Sequence, residues 1–398
     1  GRQIPLQTVR SGATVTGWRK RIAFVADLPP MGYRTYRVLT APPQREFTPV
    51  EATDTVLDNG RIRLEIDPET GYIRSLTDKR TGFAVINGEG ARPVVISDPS
   101  DTWSHGVLAY DKAEGAFRAT RVRLVEHGPV KSVIRVESGY GNSTVIQDFA
   151  MYAELDQVDV AVTVNWQEQH RMLKLAFPTN LHFPKATYEI PYGHIERPVN
   201  GEEEPGQSWI DLSGVVRGAD HLYGLSILND SKYSFSVREK EMAITVLRSP
   251  IFAHHDPYVP TAEGRYTYMD QGIQRFTYSL LPHAGGWEQG GTVRRAAELN
   301  QKPVALIETY HPGPLPLQSS FISVDAPNVV VSAVKQAEDG DDLIVRAYET
   351  AKVATQATIQ VLGRSISVSF GPCEIKTFRV PRDGAQPVVA CNLLEWAE

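Results

Sequence analysis

The sequence has only two cysteines in 398 residues, Cys373 and Cys391. Neither belongs to a Cys-x-x-Cys pair, which argues against a disulfide framework and against a cysteine zinc site. The reading is two reduced thiols in a cytoplasmic protein. Positive charge is not in excess either: 41 Lys and Arg stand against 47 Asp and Glu, for a net charge of −6. Nucleic acid or an anionic membrane as main partner would need clustered Lys and Arg. No apolar run approaches the roughly 18–20 residues that span a bilayer. The start, Gly1-Arg2-Gln3-Ile4-Pro5, has neither an initiator Met nor an apolar signal-peptide core, so it reads as the interior of a longer protein. Also missing are a GxSxG elbow, a P-loop, a GxGxxG after a strand and an HExxH helix. Nothing in these residues by themselves specifies an enzyme.

What is abundant is alternation of apolar and polar residues. Ile62, Leu64 and Ile66 alternate with Arg61, Arg63 and Glu65, and Val158, Val160, Val162 and Val164 with Asp159, Ala161 and Thr163. Period two puts successive side chains on opposite faces and predicts half-buried strands. Val329–Val331, Leu343–Ala347, Ala357–Val361 and Ile366–Phe370 also read as strands, separated by turn signals such as Asp58-Asn59-Gly60 and Asp339-Gly340-Asp341. One short helix is predicted over Val293–Asn300, and no βαβ alternation is present. Many short strands with frequent turns predict an all-β fold of sandwiches or barrels.

Three segments follow. Residues 1–46 form a small β segment ending at Ala41-Pro42-Pro43-Gln44. Residues 47–310 form a large β body. After the linker His311-Pro312-Gly313-Pro314-Leu315-Pro316, residues 317–398 form a small sandwich. The acidic run Gly201-Glu202-Glu203-Glu204-Pro205-Gly206 reads as a solvated loop.

Four clusters carry chemistry. Asp98-Pro99-Ser100-Asp101-Thr102-Trp103-Ser104-His105-Gly106 joins carboxylates, an indole and an imidazole in one loop. Sugars stack their C–H faces on indoles and bind carboxylates through hydroxyls, so this composition suits carbohydrate; the bland alternative is a tight loop plugged by a core Trp. The second cluster runs from Leu247-Arg248-Ser249-Pro250 through His254-His255-Asp256 to Met269-Asp270-Gln271-Gly272, an insertion between strands too long to be a simple turn. His254 and His255 on a strand would point apart and could not share a metal. The third, Tyr188 to Pro198, reads as an edge strand on which Glu189 and Glu196 are candidate glycosidase carboxylates or ordinary surface acids. In the fourth, Leu281-Pro282-His283-Ala284-Gly285-Gly286-Trp287, the histidine reads as structural.

Taken in order, these stretches resemble the region of family 38 glycoside hydrolases, the α-mannosidases, that follows their catalytic and helical-bundle domains. Leu57 to Asp67 with Gly71 to Lys79 looks like the opening of that family's large β domain. Tyr188–Pro198, Tyr223–Tyr233, Leu247–Pro250, Met269–Gly272 and Tyr278–His283 resemble further segments. Arg37, after Gly32-Tyr33-Arg34-Thr35-Tyr36, resembles the preceding small β domain. The resemblance spans nearly the whole chain. It implies a large antiparallel super-sandwich of galactose-mutarotase type with small flanking β-sandwich modules.

It also implies a retaining hydrolase of terminal α-mannosides, with an aspartate nucleophile and a zinc ion held in an N-terminal α/β barrel. No segment here matches that barrel. No catalytic residue and no metal ligand is therefore carried over, and zinc is expected in the full-length enzyme but not in this chain. Arg248 matches an arginine on the family's active-site rim, although a structural ion pair explains it equally well. Asp270 and Gln271 match the end of the same loop, the Asp101-Thr102-Trp103 loop looks like a second rim element, and His105 beside it is a further candidate for binding substrate. The implied partners are the protein's own N-terminal catalytic domain and an α-mannoside or oligosaccharide, with homo-oligomerisation left open. An exposed aromatic or apolar patch is expected where Trp103 and the 248–272 loop come together. Two other readings stay open: a stand-alone carbohydrate-binding module, and a mutarotase-like epimerase using His105 and a carboxylate as acid and base.

Overall fold

In a computed structural model, residues 2–10, 20–39, 47–219 and 221–396 are described. The expected boundary at Ala41-Pro42-Pro43-Gln44 lies outside them. The chain forms two compact units, neither continuous in sequence. The larger takes Gly1–Val25, Pro43–Glu189 and Glu196–Lys302; the smaller takes Ala26–Pro42, Ile190–Ile195 and Pro303–Glu398. Residues near 30 group with the C-terminal part because strand Gly32–Arg34 pairs with Gln318–Ser320.

The larger unit is built from antiparallel sheets. The largest runs in the order 118–126, 131–140, 143–152, 158–166, 272–284, 222–229, 209–215 and 182–190. A six-stranded sheet has the order 113–116, 92–97, 171–178, 241–248, 234–238 and 200–205, and a five-stranded sheet covers 51–90. The predicted alternation is what these sheets use. Val158, Val160, Val162, Val164 and Trp166 are buried on one face of their strand. They share one core with Leu173, Leu175 and Phe177 of the six-stranded sheet and with Ile62, Leu64 and Ile66 of the five-stranded sheet. Burial of this kind stabilises by about 1.5–3 kcal/mol per large side chain.

The helix falls at Thr292–Asn300, as predicted. The smaller unit pairs 322–324, 355–361 and 364–370 in one sheet and 329–336, 343–349, 375–380 and 389–391 in another, around a core that includes Val345, Ile359 and Phe370. Cys373 and Cys391 are not joined in a disulfide.

One expectation fails. The acidic run is not a solvated loop but the edge strand Asn200–Pro205. Glu203 is neutralised there by the buried Lys174 and accepts hydrogen bonds from Ser234 and Thr245. These partners lie 29 to 42 residues away in sequence, and they let a carboxylate sit where burial would otherwise exclude it.

Candidate functional site

The six-stranded sheet determines where the loops meet. Strand 171–178 pairs Arg171 with Ser97 and Met172 with Arg248, so residue 98 and residue 249 leave the sheet side by side. Backbone bonds continue the pairing beyond the strands. The Asp98 amide donates to the His170 carbonyl at 2.9 Å, and the His170 amide to Ser249 at 2.9 Å. Farther out, the Thr102 amide donates to His254 at 3.0 Å and the Thr102 hydroxyl to Ile251 at 2.9 Å. The 98–105 and 249–257 loops are therefore one structure.

Arg248 is its fastener. Its Nε and Nη2 donate to the two oxygens of the fully buried Asp98 carboxylate at 2.8 and 3.1 Å. The guanidinium also reaches the Ser100 hydroxyl at 2.7 Å and the carbonyls of Asp101 and Thr102 at 3.1 and 3.3 Å. The guanidinium carbon lies over the Tyr110 ring, 5.1 Å from its centroid. A planar fork with a delocalised charge suits this combination, and an ammonium does not. The contacts of Arg248 thus go to this chain itself, as an ion pair that shapes the loop.

Asp101 does the same work from the other side. Its carboxylate accepts the His105 amide at 2.9 Å, the His105 ring Nδ1 at 2.5 Å and the Asp256 amide at 3.1 Å. Burial pushes its carboxyl up, but the His105 amide and ring and the Asp256 amide outweigh that and hold it well below the usual carboxylate range. With Nδ1–H committed to Asp101, a neutral His105 presents Nε2 as an acceptor. Asp270 and Gln271 close the loop at its far end. The Asp270 carboxylate accepts the Arg248 amide at 3.2 Å, and the Gln271 side chain donates to the Glu168 carbonyl at 2.8 Å.

Around this frame lies an exposed aromatic surface. The Trp103 indole is 57% exposed and 5.2 Å from the His255 ring, which is itself 4.8 Å from His105. Phe252, Tyr258 and Leu108 on the same loops are exposed as well. The expected patch is present and the two loops are in contact. Trp103 is not a core plug.

Because Asp101 is held low, the loop's anchoring has a definite pH dependence. A carboxyl depressed in the folded state contributes stability that is complete above its unfolded value, about 3.9. It is lost as pH falls through the folded value. The Trp103 emission, isolated as the difference from Trp103→Phe, is expected to change below about pH 4 in the unaltered chain but not in Asp101→Asn. In Asp101→Asn the changed emission is expected already at pH 7; an unchanged spectrum there would show that Asp101 anchors nothing.

The other candidates are engaged elsewhere. Glu189 accepts the amide of Ser208 at 2.6 Å and also its hydroxyl; burial raises its carboxyl, and these hydrogen bonds oppose the rise. Glu196 is exposed, 3.5 Å from Lys185. His283 Nε2 lies 2.8 Å from Asp211 and 3.1 Å from Ser226. Both partners share one ring nitrogen, whereas a catalytic triad needs the acid on one and the nucleophile on the other. His254 bonds the Tyr258 carbonyl at 2.7 Å while His255 stacks with Trp103 and His105. A zinc site needs three or four converging ligands, and among the described residues no such group of His, Cys, Asp or Glu is found. These residues do not fit that ion.

The sequence did not single out Tyr110, His170 or the pairing of Asp98 with Arg248. No local pattern signals them, because strands far apart in the chain create the proximity.

Residues 57–257 match the profile of the glycosyl hydrolases family 38 C-terminal domain, and residues 328–378 that of the family 38 C-terminal beta sandwich domain. Alpha-mannosidase G of Dictyostelium discoideum is 28% identical over 415 residues, covering 89% of this chain and 36% of that protein. Human alpha-mannosidase 2C1 is 31% identical over 363 residues, covering 82% of this chain and 32% of that protein. The chain thus spans about a third of the length of these relatives. The structure of a family 38 protein from Enterococcus faecalis superposes with a TM-score of 0.75 at 17% identity, covering 96% of this chain and 52% of that one. With the first profile covering just over half of its residues, the chain belongs to glycoside hydrolase family 38, as part of that family's C-terminal β region.

Proposed function

We propose that this chain is the C-terminal β region of a retaining, zinc-dependent α-mannosidase acting on terminal α-mannosides. Its 98–105 and 249–272 loops form part of the active-site rim. The nucleophile, the acid/base and the zinc ligands belong to an N-terminal catalytic part of the longer protein, and this chain is inactive alone. The observation that carries the reading is the exposed Trp103–His255–His105 surface on a frame locked by Arg248 and Asp98. Such a surface offers an indole face for the C–H face of a sugar and an imidazole for its hydroxyls, both pre-positioned. Arg248, Asp270 and Gln271 act as positioning residues, because their hydrogen bonds hold the loops together.

The test is hydrolysis of an aryl α-mannoside by the purified 398-residue chain, with and without zinc, beside the product of the intact gene. Turnover by the longer protein only is expected. Zinc-dependent turnover by the chain alone would overturn the reading. In the longer protein, Trp103→Ala is expected to lower kcat/KM about tenfold or more, a loss of roughly 1.4 kcal/mol. An unchanged value would remove Trp103 from the rim.

A carbohydrate-binding role without catalysis is favoured by the same exposed indole. It predicts that the 398-residue chain binds methyl α-mannoside or a manno-oligosaccharide by calorimetry and that Trp103→Ala abolishes the heat. Cytoplasmic location is likewise proposed, supported by two cysteines that form no disulfide. Among the described residues no helix is long and apolar enough to cross a membrane.

A further inference from the structure

Within the smaller unit, every residue from 303 to 318 is exposed. This is not a polar linker. Val304, Leu306, Ile307, Tyr310 and Leu315 are between 75% and 101% exposed. The segment is also ordered against a second one. Gln318–Ser320 pairs antiparallel with Gly32–Arg34, the Thr35 amide donates to the Leu317 carbonyl at 2.8 Å, and the Tyr33 hydroxyl donates to the Pro316 carbonyl at 2.9 Å. Farther along, the Arg37 guanidinium lies 5.0 Å over the Tyr310 ring. The second segment brings its own exposed apolar residues, Val38 and Leu39.

A two-stranded ribbon is marginal by itself in water, and several large apolar side chains left exposed along one short segment mark an interface. Three features identify the occupant. Residues 301–318 contain only Lys302 and Glu308 as formally charged groups, so the matching surface is apolar and not an ionic or nucleic-acid partner. Pro303, Pro312, Pro314 and Pro316 remove backbone donors, so a second copy cannot extend the ribbon as a continuous ladder. The relatives carry roughly two-thirds of their length outside the matched region, which supplies a large body tied to the same chain.

We infer that this ribbon is the surface on which the smaller unit docks against the catalytic part of the longer mannosidase, an inference that rests on the function proposed above. The contact is made by side chains of the strap packing into an apolar groove, not by strand addition.

Hydroxyl-radical labelling read by mass spectrometry tests it, on the 398-residue chain and on the product of the intact gene, each normalised to its denatured form. Labelling of Leu306, Ile307 and Tyr310 is expected to fall at least fivefold in the longer protein. Ile307→Asp there is expected to restore Tyr310 labelling to the level of the shorter chain, and Ile307→Val is not. Equal labelling in the two proteins overturns the inference. So does labelling that is already low in the shorter chain and rises on dilution together with a falling sedimentation coefficient, since the occupant is then a second copy. A longer protein that hydrolyses an aryl α-mannoside with its ribbon still fully labelled sinks the ribbon alone and leaves the proposed function standing. A longer protein without that activity, or a gene encoding only these residues, sinks both.

Discussion

Arg248→Ala is expected to destabilise the larger unit by about 3–5 kcal/mol, because it leaves the fully buried Asp98 carboxylate without its cation. The loss exceeds that of an exposed ion pair, which is worth about 0–1 kcal/mol, since Asp98 has no access to water as a substitute partner. Arg248→Lys recovers only part of it. Lysine can supply one charge but not the two parallel bonds to Asp98, the bonds to Ser100 and to two carbonyls, and the stacking on Tyr110. Urea unfolding of the 398-residue chain measures the cost. If Arg248→Ala falls within 1 kcal/mol of the unaltered chain, the pair does not hold the loops. The double variant Arg248→Met with Asp98→Leu separates charge from shape: it removes the unpaired charge, so global stability largely returns. The Trp103 emission stays altered, because the carbonyls of Asp101 and Thr102 and the Ser100 hydroxyl have still lost their donor.

This fastening was only half legible in the sequence. The loop Asp98–Gly106 and the Arg248 segment both stood out by composition, and the choice between a sugar ligand and an ion pair for Arg248 was open. What decides its contacts is Asp98, 150 residues away, brought near by strand 171–178 standing between 92–97 and 241–248. Alternation such as Ile62–Leu64–Ile66 is a local property and reads directly as a buried strand face. Sheet order is not local, and the site is made by sheet order. Trp103 shows the same limit. A core plug and an exposed platform have the same residue in the same loop, and only the packing of 249–257 against 98–105 separates them.

The acidic strand 200–205 is where local reasoning failed, and it carries the other large effect. Lys174→Ala is expected to cost about 3–5 kcal/mol, for Glu203 then sits in a largely buried setting without its cation, held by the Ser234 and Thr245 hydroxyls. Removing both charges with Lys174→Met and Glu203→Leu is expected to cost far less, within about 1–2 kcal/mol, because well-packed apolar groups of similar volume often replace a buried pair without loss. The two results together are the test: if the double variant is as unstable as Lys174→Ala, hydroxyl bonding rather than charge pairing maintains the strand. The consequence reaches the candidate site through the backbone. The Glu203 amide donates to the Leu108 carbonyl at 2.8 Å, so the edge strand also pins the loop that carries Trp103 and His105. Lys174→Ala is therefore expected to speed hydrogen exchange at the Glu203 amide and to lower kcat/KM of the longer protein, although Lys174 belongs to the sheet beneath. The double variant, which keeps the strand paired, is expected to retain both.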